Sequence, residues 1–201
     1  MNITLRRTGI AAIALSSSLG LAACGGSDSS STTASADTTD VAAQTFGPGC
    51  TAVPKTGDGS FNGMATAPVA SAASANPVLS TLVAAVTKAG LVDTLNSQKS
   101  LTVLAPTNDA FGQIPPKTLK AVLADKPTLT KILTYHVIDG ALSPDELAGT
   151  HKTLEGEDLT ISGSDPDFVV GTQKAAIVCG NVKTANATVY IIDQVLMPPT
   201  M

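Results

Sequence analysis

The sequence predicts an α+β fold, and three patterns carry that prediction. Between Val78 and Val86 apolar residues recur at helical spacing. Past Thr150 the period falls to two, as in strands with one buried face. Helices gathered early and strands late are the order expected when helices cover one side of an antiparallel sheet. The sequence shows no internal repeat, so one domain spanning residues 46–201 is expected.

Each element has a local cause. Asn76 can cap a helix with Pro77 at its first position; Val78, Leu79, Leu82, Val83 and Val86 form its inner face, and Gly90 ends it. A shorter segment, Leu91 to Leu95, follows. Leu101 to Ala105 reads as a half-buried strand with Leu101, Val103 and Ala105 facing in. Thr107 or Asn108 can then cap a short turn of helix bearing Phe111, which Pro115 and Pro116 stop. Helices over Lys117 to Ala124 and Pro127 to Tyr135 come next, the second burying Leu129, Ile132 and Leu133. Ser143-Pro-Asp-Glu146 is a capping box. Leu154 and Leu159-Thr-Ile161 flank Gly156 as a hairpin, and further strands are expected over Phe168 to Val170, Ala175 to Val178 and Thr188 to Val195. A domain of about 155 residues buries nearly 70% of its unfolded surface and needs no cofactor for stability.

The first 23 residues read as a leader. Arg6 and Arg7 precede an apolar run from Gly9 to Leu21 that is too short to span about 30 Å of hydrocarbon, and basic flank, short apolar core and small residues make the export layout. Leu21-Ala22-Ala23-Cys24 resembles the bacterial lipobox, in which Cys24 takes a diacylglyceryl thioether and becomes the mature N-terminus. Because each buried methylene contributes about 0.8 kcal/mol, several acyl chains would hold the chain at a membrane. An ordinary cleaved leader with an incidental cysteine is the alternative, and the residues around Arg6-Arg7 fit a twin-arginine signal poorly. Residues 24–45, rich in Ser, Thr and Asp, cannot bury enough apolar surface to offset ordering entropy and read as a disordered tether. About 20 such residues span roughly 25 Å.

Cysteine and charge narrow the chemistry. With Cys24 assigned to the lipobox, Cys50 and Cys179 remain in an exported chain, and a disulfide between them is the natural reading. Metal binding is the rival, but there is no CxxC, and His136 and His151 are the only histidines. Both arginines fall in the leader. Of 12 basic residues the mature chain therefore keeps 10 lysines against 16 acidic residues, about −6. No guanidinium is left to clamp phosphate bidentately, and without a basic patch or stacking aromatics nucleic acid is not an expected partner.

Catalytic patterns are thin. There is no GxSxG, HExxH or phosphate-cradling glycine loop. Asp58-Gly-Ser60-Phe-Asn62-Gly63 begins like an EF-hand loop, but its twelfth position is Val69 where a bidentate Glu is required. A flexible glycine-rich loop is the expectation there, and no cofactor or metal site is assigned.

Three blocks carry a family resemblance. "TVLAPTNDAF" (Thr102 to Phe111), "TYHVIDG" (Thr134 to Gly140) and "NATVYIIDQVLMPP" (Asn186 to Pro199) are similar to the signature blocks of the fasciclin-like domain, in order. The wording of "TANATVY" and "VLMPP", with the paired cysteines, resembles single-domain members of mycobacterial type, surface lipoprotein antigens and immunogenic secreted proteins. The resemblance implies a helical layer packed on a mostly antiparallel β-wedge, adhesion or matrix interaction, and no enzymatic activity. It implies candidate partner contacts at Tyr135, His136 and Asp193, and a fold-forming corner at Thr107, Asn108 and Phe111. Many members carry His where this chain has Tyr190, so no role of that His transfers. The alternatives are structural: His136 as a buried imidazole bonded to backbone, Tyr135 as core, Asp193 tying the last strand to a loop.

Three functions follow as expectations. The first is a lipid-anchored surface adhesion module and antigen. Its partners would be host or matrix cell-surface proteins, integrin-like or matrix ligands among them, with innate lipoprotein receptors sensing its acylated end. The second is an envelope carrier for a small apolar ligand, which requires an apolar cavity between helices and sheet. The third is a hydrolase, which requires His136 or His151 to meet a Ser or Cys nucleophile in an open cleft.

Overall fold

Side chains far away in sequence start several of the helices. The structure, a computed structural model, describes residues 41–199; the expected leader, Cys24 and most of the expected tether lie outside them. Ser60 caps α1 (Phe61–Ala65) by accepting from the Gly63 amide. α2 (Val69–Ala75) has no cap of its own: its Val69 and Ala70 amides donate to Asn186 Oδ1 at 2.8 Å and Asn96 Oδ1 at 3.0 Å. After a 3-10 turn over Pro77–Leu79, which Asn76 caps, comes α3 (Ser80–Ala89), ended by Gly90. α4 (Val92–Ser97) leads into β1 (Leu101–Pro106). Thr107 caps α5 (Asn108–Gly112) through the Ala110 amide. α6 (Pro116–Ala124) and α7 (Lys126–Tyr135) follow with proline in their first turns, then β2 (Val137–Asp139) and α8 (Pro144–Leu147), whose capping box between Ser143 and Glu146 is present.

The remaining strands are β3 (Gly149–Lys152), β4 (Asp158–Ser164), β5 (Asp167–Val170), β6 (Ala175–Lys183) and β7 (Ala187–Ile192). Together the seven make one sheet in the order β2-β1-β7-β6-β5-β4-β3. Every pairing is antiparallel except β1 with β7, which run parallel. The sheet curls until its outermost strands meet: Ile138 bridges Thr153, and the Leu154 amide donates to the Val137 carbonyl at 2.7 Å. The expected α+β architecture, helices on a mostly antiparallel wedge, is what forms.

Two apolar cores result, one on each face of the central strands. Leu101, Val103 and Ala105 of β1, with Ala187, Val189 and Ile191 of β7, face the helices; Leu104, Tyr190 and Ile192 face into the curled sheet with Leu159, Ile161, Phe168 and Leu196. β1 is therefore buried on both faces, not half-buried as its sequence suggested. Thr102 made the strand look alternating. It is fully buried because its hydroxyl donates to the Gly140 carbonyl at 2.7 Å and accepts from the Leu142 amide at 2.8 Å.

Two further expectations are corrected. The glycine-rich stretch around Asp58 is not a free loop: a Cβ at Gly63 would fall 2.3 Å from the Gly57 carbonyl oxygen, so the turn closes tightly on itself. Order also begins before Phe46. Val41–Gln44 forms a 3-10 turn, held where the Gln44 carbonyl accepts from Asn181 Nδ2 at 2.9 Å. Phe46 then bridges Gly180 of β6, and its ring lies where a Cβ on Gly180 would sit, 2.1 Å from Cζ. It packs tilted on Phe168 and Tyr190, with centroids 5.7 and 6.3 Å away. Just beyond, in a 3-10 turn over Pro48–Ala52, Cys50 is disulfide-bonded to Cys179, with Cα atoms 4.8 Å apart.

Candidate functional site

The first block makes a corner. Its strand is β1, and its Thr107 and Asn108 turn the chain into α5, where Phe111 enters the core beneath the helices. Asn108 reaches across: its Oδ1 accepts from the Thr81 amide at 2.9 Å and the Ser80 hydroxyl at 3.2 Å, and its Nδ2 donates to the Pro77 carbonyl at 2.9 Å. It thus starts α3 and caps the turn before it. Asp193, just past β7, accepts the Ala176 amide on Oδ1 at 2.7 Å and, through its carbonyl, Gln113 Nε2 at 2.9 Å. It ties β7 to β6 and to α5.

These residues meet at one place. Thr107, Asn108, Asp109, Gln113 and Asp193 border an open cleft of about 430 Å³ whose apolar walls include Val78, Val178 and Ile191. Asp109 is exposed on its rim. Two carboxylates and no cation line the cleft, so its field favours a positively charged group.

The second block goes inside. Tyr135 is 4% and His136 2% exposed, so neither is a surface contact in this structure. His136 Nε2 accepts from the Leu196 amide at 2.9 Å, because an amide can only donate; Nδ1–H therefore donates to the Ile132 carbonyl at 2.8 Å. The His136 carbonyl takes the Leu104 amide at 2.8 Å. Burial pushes the imidazole down to about 4, against the Ile132 bond, which favours the proton. The Tyr135 phenol is raised, by burial first and then by the charges of Glu157 and Glu155. Glu155 itself lies 3.6 Å from Lys131. Tyr190 is wholly buried and donates to the Leu142 carbonyl at 3.0 Å; burial, then Asp165 and Glu146, raise its phenol.

The hydrolase arrangement does not assemble among the described residues. His136 spends both nitrogens on backbone, and His151 Nε2 is bonded to the Leu147 carbonyl at 2.9 Å. An apolar cleft lies where a carrier would need one, but it is several-fold smaller than an ordinary ligand site. It occupies about 60 Å³ under α3 and α4 and is lined by Val83, Val86, Leu91, Val92, Leu133 and Leu154 among others, with His136 on its wall. Leu154, 38% exposed at its edge, is the one large apolar side chain so exposed among the described residues.

Asn186 was missed by sequence reasoning. Beyond capping α2, its Nδ2 donates to the carbonyls of Leu95 at 2.9 Å and Gln98 at 2.8 Å, fastening α4 to the start of β7. The available signal was a lone polar residue opening a run of strand formers.

Comparison with known proteins agrees with this geometry. The fasciclin domain model matches residues 77–198, which hold the first two blocks and all but the last residue of the third. The cell surface glycolipoprotein MPT83 of Mycobacterium tuberculosis is 51% identical over 168 residues, 80% of this chain and 75% of that protein. The immunogenic protein MPB70 of Mycobacterium bovis is 49% identical over 161 residues, 76% of this chain and 82% of that protein. A protein of Synechocystis sp. is 41% identical over 130 residues. With corner, buried Tyr-His pair and closing strand all in place, the chain belongs to the fasciclin domain family.

Proposed function

We propose that this chain is a surface interaction module without enzymatic activity, held at the membrane by lipid on Cys24, and that it engages its partner at the cleft bordered by Thr107, Asn108, Asp109, Gln113 and Asp193. The cleft carries the reading. Its volume of about 430 Å³ lies within the roughly 300–1,000 Å³ of ordinary binding sites, and it stands on a corner fixed by helix, strand and side-chain bonds. Relatives named as cell surface glycolipoprotein and immunogenic protein support display on the cell exterior and a role as antigen. The partner is a host or matrix surface protein, integrin-like or matrix ligands among them, presenting a basic side chain. Innate lipoprotein receptors would sense the acylated end. Asp193 enters as a cleft residue; Tyr135 and His136, both buried, do not line the cleft.

The test is capture. Immobilised protein is offered matrix and cell-surface proteins, and Asp109→Ala should lower capture of the bound partner at least fivefold with unchanged melting temperature. Equal capture by wild type and variant removes the cleft from the proposal. A second reading, a carrier of an apolar ligand, is favoured by the apolar cleft beside Leu154. Its room of about 60 Å³ would admit only the end of a chain. Leu154→Asp should abolish uptake of a fluorescent fatty acid if that reading holds.

A further inference from the structure

His136 is the buried titratable group that the proposed function leaves unused, and its position is unusual. The ring forms part of the wall between two apolar cavities, one under α3 and α4 and the other beneath α6. It spans from the last turn of α7 to the chain leaving β7, through the Ile132 carbonyl at 2.8 Å and the Leu196 amide at 2.9 Å. Beyond β7, Val195 packs into the helical core, Leu196 into the sheet core, and Met197 lines the cavity beneath α6. Two side-chain bonds fasten this segment: the one from the Leu196 amide to His136, and one from Gln173 Nε2 to the Met197 carbonyl at 2.9 Å.

We propose that residues 195–199 form a strap that protonation of His136 releases, uncovering the apolar cavity beneath α6. A protonated imidazole carries N–H on both nitrogens. Nε2–H would then oppose the Leu196 N–H, donor against donor, and a charge would sit where nothing solvates it. No neighbouring charge compensates. Lys126 and Lys131 of α7, Lys88 of α3, Asp93 of α4, Lys117 and Lys120 of α6, Asp139 of β2 and Asp193 beyond β7 all hold exposed or half-buried positions. Glu155, in the turn beside the cavity, faces Lys131. Tyr135 and Tyr190 lie in the sheet core. Only burial and the Ile132 bond act on the ring.

The sign follows from linkage. Released, the ring binds a proton near its ordinary value of about 6.5; strapped, it does so at about 4. The ratio of strapped to released chain is therefore unaffected above about pH 6.5 and falls by up to tenfold per pH unit below it, until about pH 4, where the dependence ends.

Amide hydrogen exchange of the full chain, made without acylation, reads this directly. The opening constant at Leu196 should rise about twentyfold in all between pH 6 and 4.5 while the β7 amides stay protected, and His136→Gln, which keeps an acceptor for Leu196 but cannot titrate, should flatten it. An opening constant that is flat to pH 4.5, or that rises in step with β7, overturns the strap. Should the variant not fold, the wild-type Nε2 nitrogen shift replaces it: ring protonation and Leu196 opening must share a midpoint, and a gap above one pH unit overturns the assignment.

Discussion

At the residue scale the recurring device is an asparagine that caps a helix other than its own. Asn108 serves α3 and the turn before it, and Asn96 and Asn186 serve α2. A helix leaves its first amides without partners, and here several are met from a distance, which docks the helix as it caps it. Asn108→Ala should thus cost about 1–3 kcal/mol, because an amide and a carbonyl are left unpaired together. Asn108→Asp should cost less, since it keeps the acceptor and loses only the donor to Pro77. Urea unfolding checks both; equal costs would mean that the Pro77 bond carries the effect. Sequence reading recognised Asn108 as a cap residue but not which helix it capped, because Thr81 lies 27 positions earlier and capping rules are local. His136 was more legible: an imidazole inside an apolar run has backbone as its nearest source of partners.

At the element scale, what the sequence revealed depends on punctuation. α5, α6, α7 and α8 were visible because a cap or proline opens each one, and α3 because its apolar residues recur at helical spacing; the Asn76-Pro77 start expected for it opens a separate 3-10 turn instead. α2, "VASAASA", was not, since alanine and serine give no apolar stripe and its caps come from Asn96 and Asn186. β2 hid within the second block because three residues are too few to show a period. The parallel pairing of β1 with β7 was out of reach, as strand neighbours 86 positions apart leave no local trace. Phe46 against β6 is an element-scale contact of the same kind. Gly180→Ala should destabilise by about 1–3 kcal/mol by overpacking, and by much less in a Phe46→Ala background, where the ring is gone. Thermal unfolding of the four-member cycle measures that coupling, and additive effects would contradict the contact.

At the scale of the whole molecule, one covalent feature is seen, the disulfide, and a second, the lipid on Cys24, belongs to the proposed function. The Cys50–Cys179 disulfide closes a separation of 129 residues, worth about 5 kcal/mol on the chain-entropy model. Reduction should lower the melting temperature by roughly 10–20 °C for a domain of this size, read by calorimetry with and without reductant. Cys24→Ala should move the protein from the membrane fraction to the soluble one; unchanged retention would contradict the lipid anchor. The disulfide also settles how the domain bears load. A pull applied at Val41 passes through Phe46 and Cys50 into β6, which is flanked by β7 and β5 in mid-sheet. Tension arriving there does not start at an edge of the sheet, and while the sulfurs stay joined a pull between Val41 and the chain beyond Cys179 bypasses the 129-residue loop. Load applied at Val41 is therefore met by mid-sheet bonds and a covalent link, not by the exposed edge of the sheet.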